Sequence, residues 1–83
     1  LLDYILLKQA ERYLQRMQPD DQLRIINALD SLISNPLTLD IKPLKGRPEF
    51  RLRVGKYRVL FIEDQDKQVY VITAIGSRGD IYK

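Results

Sequence analysis

The sequence predicts a single α+β domain in which two helices cover one face of an antiparallel sheet of about four strands, in the order β-α-α-β-β-β. Three observations predict it. Between Leu7 and Ser34 apolar residues recur every three to four positions, the period of helices with one buried stripe. After Phe50 the period falls to two, the mark of strands with one buried face. The chain is 83 residues long, enough for one core and no second domain, so residues 1–83 are read as one unit.

Leu1 to Leu6 is a short apolar segment and reads as a first strand. The chain begins at Leu rather than Met, so further residues are expected before Leu1. Ala10, Tyr13, Leu14 and Met17 then lie three and four apart, which predicts an amphipathic helix over Leu7 to Met17 with Lys8, Glu11, Arg12, Gln15 and Arg16 toward water. Gln18-Pro19-Asp20-Asp21 ends that helix and starts another. Proline suits the first helical position, and the aspartates suit the positive end of the helix dipole. The second helix buries Leu23, Ile26, Leu29 and Ile33, with Ile25 and Leu32 widening the stripe. Asn35-Pro36 stops it near Ser34, because a residue before proline avoids helical angles. So short a connection folds the two helices into an antiparallel hairpin.

Leu37 to Pro48 contains Pro43, Gly46 and Pro48 and reads as loop. Phe50, Leu52 and Val54 then alternate with Arg51 and Arg53. Gly55-Lys56 makes a tight turn, with glycine at the first position as a type II′ hairpin requires, and Tyr57 to Ile62 returns. Gln65-Asp66-Lys67 makes a second turn. Gln68 to Gly76 is nearly all apolar, which suits a central strand.

Several chemistries are excluded by composition. There is no cysteine and no histidine, which removes disulfides, thiolate metal sites and the commonest zinc ligand, and no metal or other cofactor is expected. No apolar run approaches the roughly 18–20 residues of a membrane span, and no basic segment leads into an apolar one as in a signal peptide. A cytoplasmic location is the expectation, and absence of cysteine fits a reducing compartment.

Net charge is +3, but its distribution says more. From Leu1 to Ile41 four bases face six acids, net −2; from Lys42 onward ten bases face five acids, net +5. Asymmetry of this kind in one small domain predicts a basic patch for nucleic acid. The hairpin register locates it. Across a two-residue turn at Gly55-Lys56, Val54 opposes Tyr57, Arg53 opposes Arg58 and Leu52 opposes Val59. Phe50, Leu52, Val54, Tyr57, Val59 and Phe61 then point to the helices, and Arg51, Arg53 and Arg58 point away. Like charges directly opposed cost up to about 1 kcal/mol. An anion held between the arginines offsets that cost, since guanidinium offers paired donors to phosphate oxygens. Arginines also keep an open sheet face soluble, and on register alone both readings stand.

The segments Leu44-Lys45-Gly46, Phe50-Arg51-Leu52-Arg53-Val54-Gly55-Lys56-Tyr57-Arg58-Val59-Leu60 and Ile75-Gly76-Ser77-Arg78-Gly79-Asp80-Ile81-Tyr82 add a resemblance. In series, after a helical hairpin ending Ser34-Asn35-Pro36, they resemble the RelE-like toxins of the RelE/ParE superfamily of type II toxin–antitoxin systems. The resemblance covers essentially the whole chain. It implies a ribosome-dependent, metal-independent endoribonuclease that cuts messenger RNA in the ribosomal A site and inhibits translation. By position in that motif series, Arg51, Arg53, Arg58, Arg78 and Tyr82 are the implied catalytic residues, with Lys45, Arg47, Lys56 and Lys83 as further RNA contacts. The implied partners are a cognate antitoxin, the ribosome and messenger RNA. The antitoxin is expected to present an acidic or amphipathic segment that covers part of the basic face.

Attack by the RNA's own 2′-OH needs a base, stabilisation of charge on phosphorus, and an acid for the leaving oxygen. The arginines supply the electrostatic part, usually the largest. Tyr82 is the implied base, because cations around a phenol favour its ionised form, and its ring can also stack on a splayed base. Relatives that carry lysine at the positions of Arg51 and Arg53, or a histidine at Ser77, have more groups able to move a proton. Here that set is thin, with Glu49, Asp80 and Lys56 beside Tyr82, so cutting is expected to be slow and dependent on the ribosome to place the messenger. Two other readings remain: a ParE-like poison of DNA gyrase, a branch that generally lacks the full arginine-plus-tyrosine set, and a non-catalytic toxin-like interaction protein.

Overall fold

The helix signals fall where the backbone uses them. In the computed structural model, which describes residues 1–78, α1 spans Lys8–Arg16 and α2 spans Pro19–Ser34, with Pro19 at the start of α2 and Asp20 and Asp21 in its first turn. Before them lies β1 (Asp3–Leu6). After them come a 3₁₀ turn (Pro36–Thr38), β2 (Asp40–Pro43), β3 (Phe50–Val54), β4 (Tyr57–Asp64) and β5 (Val69–Ser77). The expected α+β fold, with helices on one face of a sheet, is what forms.

Leu23, expected in the buried stripe of α2, is exposed, and Ile25, Ala28, Leu29 and Leu32 are its buried residues. Two expectations about the sheet also need correction. The sheet has five strands, in the order β1-β5-β4-β3-β2. The fifth is β2, inside the stretch that reads as loop. Its four residues are too few to show a period, and Pro43 and the following Gly46 and Pro48 resemble loop punctuation. Pro43 is tolerated because β2 is an edge strand, where one N–H has no ladder partner to lose. Second, the sheet is not wholly antiparallel. β1 runs parallel to β5, with Asp3 beside Val69 and Leu6 beside Ile72. β5 therefore has neighbours on both sides, β1 and β4, which accounts for its apolar run.

The hairpin register is as expected from the sequence: Val54 opposite Tyr57, Arg53 opposite Arg58, Leu52 opposite Val59. Gly55 has φ +58°, and Lys56 has no positive φ, as a type II′ turn demands. A bulge interrupts β4–β5 at Leu60/Phe61, leaving Thr73 unpaired in the ladder while its hydroxyl donates to the Leu60 carbonyl at 3.2 Å. The extra residue resets the alternation, so that Ile72 and Ile75, three apart, both reach 0% exposure in the core. There they meet Ala10 and Leu14 of α1, Ile25, Leu29 and Leu32 of α2, and Leu52, Val59 and Phe61 of the sheet.

One side chain locks α1 to this sheet. β1 leaves β5 after Leu7, whose N–H donates to the Ile72 carbonyl at 2.9 Å. Beyond that point Gln9 replaces a strand. Its amide donates to the Ile75 carbonyl at 3.0 Å and accepts from the Ile75 N–H at 2.9 Å. Gln9→Ala strips both partners from part-buried backbone groups and is expected to cost about 1–3 kcal/mol, read as a lower urea midpoint with an unchanged slope. Gln15→Ala, on the exposed side of the same helix, is the control and should leave the midpoint where it was.

Candidate phosphate-binding site

The tight turn between β3 and β4 gathers half of the basic residues singled out by the sequence. Arg53 and Arg58 face each other across its base, and Lys56 occupies its tip. The Arg78 backbone N–H donates to the Lys56 carbonyl at 3.1 Å, which carries the end of β5 to the same place. Arg24 reaches the turn from α2. A Cβ built on Gly55 would lie 2.8 Å from the Arg24 guanidinium, a flexible tip that can move aside, so it is the φ of +58° that favours glycine there.

Arg58 departs from the open-face picture. It is the buried charge of the site, 7% exposed, and does not stand free beside Arg51 and Arg53. Its Nη1 donates to the carbonyls of Gly55 at 3.1 Å and Tyr57 at 2.8 Å, so the guanidinium folds against the turn. Opposite it on β5 is Gly76, which adds no side chain over it. Among the described residues no carboxylate pairs with Arg58. A guanidinium held by two neutral carbonyls keeps its full positive charge for another partner.

A further correction concerns the anion expected among Arg51, Arg53 and Arg58, at the Arg51 and Arg53 end. The fold supplies one of its own. Asp40 on β2 sits opposite Arg53, with Arg51 Nη2 at 3.3 Å from one carboxylate oxygen and Arg53 Nη1 at 4.0 Å from the other. Of the opposed pair in the register, Arg53 is thus partly offset from within the fold and Arg58 is not. The sequence pattern puts Asp40 in a loop, and only the presence of β2 sets it across from Arg53. An RNA phosphate reaching this pair must displace or share the Asp40 carboxylate. Asp40→Asn is therefore expected to tighten binding to ribosomes severalfold at low salt and to lower stability by up to about 1 kcal/mol. Pelleting assays and urea titrations of the two proteins check both signs.

Lys45 and Arg47 lie elsewhere. They belong to the connection entering the other end of β3, roughly 13–16 Å of strand away from the Gly55-Lys56 turn. Arg47 is paired with Glu49, which also occupies one of the groups considered for proton transfer. Tyr82, Lys83 and Asp80 lie outside the described residues.

Tyr57 is packed against the hydrophobic cluster, as its place on the helix-facing side of the hairpin predicts, while its hydroxyl does something further. It donates to Asp21 Oδ2 at 2.7 Å, tying the turn to the start of α2. That hydrogen bond, with some desolvation, pushes the phenol above its ordinary value of about 10. A phenol held protonated in this way does not serve as a general base. An apolar recess of about 190 Å³, bounded by Leu32, Phe50, Phe61 and Tyr70 among others, lies on the helix side of the sheet and holds none of the arginines.

The chain is similar to known proteins over nearly its whole length. The family described as ParE toxin of type II toxin–antitoxin system, parDE, matches residues 4–82. A Methanocaldococcus jannaschii protein named as toxin RelE1 is 31% identical over 80 residues, covering 92% of this chain and 89% of that protein. Among solved structures, the toxin–antitoxin complex RelBE2 from Mycobacterium tuberculosis superposes with a TM-score of 0.79 at 25% identity, over 93% of this chain and 98% of the other. The RelB–RelE complex from Methanococcus jannaschii gives 0.75 at 27% identity, over 94% of each chain.

Proposed function

The chain belongs to the RelE-like toxins of the RelE/ParE superfamily of type II toxin–antitoxin systems, and we propose that it cuts ribosome-bound messenger RNA and so inhibits translation. The observation that carries this reading is Arg58. A buried guanidinium with no carboxylate partner among the described residues, beside Arg53, Lys56 and Arg78, is suited to a phosphate that gains charge during reaction.

In the proposed step the 2′-oxygen forms a bond to the adjacent phosphorus and the bond from phosphorus to the 5′-oxygen breaks. The products are a 2′,3′-cyclic phosphate and a free 5′-hydroxyl. The proton of the 2′-OH passes to the Tyr82 phenolate, and the leaving oxygen takes a proton from an acid or water. Arg58, with Arg51, Arg53 and Arg78, stabilises the charge on the phosphoryl oxygens. Lys45, Arg47 and Lys83 are proposed to hold flanking RNA. No cofactor enters this reading. The partners are the ribosome with its messenger and a cognate antitoxin, the kind of partner with which the RelBE2 and RelB–RelE neighbours were solved.

Primer extension on ribosome-bound messenger, with and without the protein, tests the proposal. New ends at A-site codons, absent from naked RNA treated in parallel, are the expected result. Robust cutting of naked RNA would overturn the dependence on the ribosome. Intact messenger together with gyrase-dependent DNA breaks would instead favour the ParE-like reading, which the name of the matched family keeps in view.

A further inference from the structure

Helix α1 carries a second basic surface, on the side of the molecule away from the arginine face. Lys8, Arg12 and Arg16 recur every four residues, so they share one side of the helix in steps of about 6 Å at a rise of 1.5 Å per residue. All three are exposed. Among the described residues none of them pairs with a carboxylate, whereas Arg24, Arg47, Arg51 and Arg53 each do. Their direction is fixed by packing, because Ala10 and Leu14 are buried on the opposite side and Gln9 is tied to Ile75.

Helix stability accounts for one end of the stripe only: Arg16 lies in the last turn of α1, where the dipole favours a cation. Lys8 is the first residue of α1, where the positive end of the helix dipole disfavours a cation. A groove of about 460 Å³ runs among Lys8, Gln9, Arg12, Tyr13 and Arg16. A second, of about 350 Å³, shares Tyr13 and Arg16 and ends on Tyr57. The Tyr57 ring lies 5.5 Å from the Lys56 ammonium at the tip of the turn. Cations with aromatic rings between them, in a groove, are the surface that nucleic-acid backbones and unstacked bases fit. The exposed large apolar side chains, Leu2, Ile5, Leu7, Leu23 and Leu37, lie outside both grooves, so the stripe lacks the apolar side needed to enter a lipid surface.

We infer that the α1 stripe of Lys8, Arg12 and Arg16 binds the phosphate backbone of ribosomal RNA while the arginine face engages the messenger. The two surfaces lie on opposite sides of the sheet and meet at the turn. A protein embedded in folded RNA uses both at once. The inference rests on the reading that this toxin works on the ribosome, and its test is kept separate from cutting.

The test is co-sedimentation with vacant ribosomes, which hold no messenger, across a salt series. It compares the wild-type protein, the triple variant K8A/R12A/R16A and the milder K8Q/R12Q/R16Q, with circular dichroism melts as the check on folding. Loss of three phosphate contacts is expected to weaken binding at least tenfold and to make the slope of log K against log salt shallower by about 2–3. Equal binding and equal slopes for wild type and variants would overturn the inference, as would a wild-type protein that does not bind vacant ribosomes. If the variants bind ribosomes normally but no longer co-purify with the cognate antitoxin, the stripe belongs to that protein and the inference fails. Stripe-dependent binding by a protein that cuts no messenger retires the nuclease reading and leaves this one standing.

Discussion

Arg58→Lys is expected to lower ribosome-dependent messenger cutting by about 10²–10³-fold, the range seen when one preorganised donor to a developing oxyanion is removed. The substitution keeps the charge and removes the fork. The present geometry needs a planar group, because Nη1 is committed to the carbonyls of Gly55 and Tyr57 while the rest of the guanidinium remains for phosphate. A lysine ammonium that satisfies the turn cannot also face the substrate in a fixed direction. Arg58→Ala should cut no better than the lysine variant. Because Arg58 is 7% exposed, both proteins need a melting curve beside the rate. A folded Arg58→Lys protein that cuts within threefold of wild type would remove Arg58 from the reacting phosphate.

The same side chain shows where sequence reading reaches and where it stops. The pairing of Arg53 with Arg58 follows from a two-residue turn with glycine first, a local rule that needs no tertiary information. The helices follow from period and from the prolines at 19 and 36 that bound α2, which are local as well. What β2 does is not local. Four residues carry too little pattern to compete with Pro43, Gly46 and Pro48, and β2 forms because Ile41 finds Leu52 and Asp40 finds Arg53 across the connection at residues 44–49. Without β2 there is no sign of Asp40 beside the arginine pair, which then reads as calling for an external anion. The burial of Arg58 is also beyond the sequence. Alternation puts it on the open face, but the turn carbonyls that draw the guanidinium inward and the glycine facing it are properties of the folded hairpin. The Gln9 clasp on Ile75 joins residues 66 apart, and a lone glutamine early in an amphipathic helix gives no sign of it.

These differences sharpen the electrostatic picture. The arginines do not form one uniform patch. Arg51 and Arg53 share an internal carboxylate, which lowers their pull on a distant anion, while Arg58 has no carboxylate partner among the described residues. A messenger phosphate placed at the turn meets the stronger field, and flanking phosphates compete with Asp40. This arrangement favours a substrate delivered in a fixed position over free RNA captured from solution, in keeping with the proposed dependence on the ribosome.

The proton remains, and Tyr82→Phe is the variant expected to expose it. The chain has no histidine, and three of the tyrosines inside the fold lean the wrong way for a base. Burial pushes the phenols of Tyr4 and Tyr70 upward, and donation to Asp21 does the same to Tyr57. Each therefore holds its proton more tightly than a free phenol. Tyr82 is proposed instead because it follows Arg78 by four residues in the motif series, and cations near a phenol lower its pKa. Tyr82→Phe should reduce cutting by about 10²–10⁴-fold, the usual reach of general-base catalysis, with ribosome binding within about twofold of wild type. The sign of the pH dependence separates chemistry from stacking. A base works only when deprotonated, so the wild-type rate should climb with pH until the phenol is ionised, and the phenylalanine protein should lose that climb. Phenylalanine keeps the ring for stacking on a base, so a Tyr82→Phe protein with wild-type rate and an unchanged pH profile would leave Tyr82 a stacking residue and send the search for the base to Lys56 or Asp80.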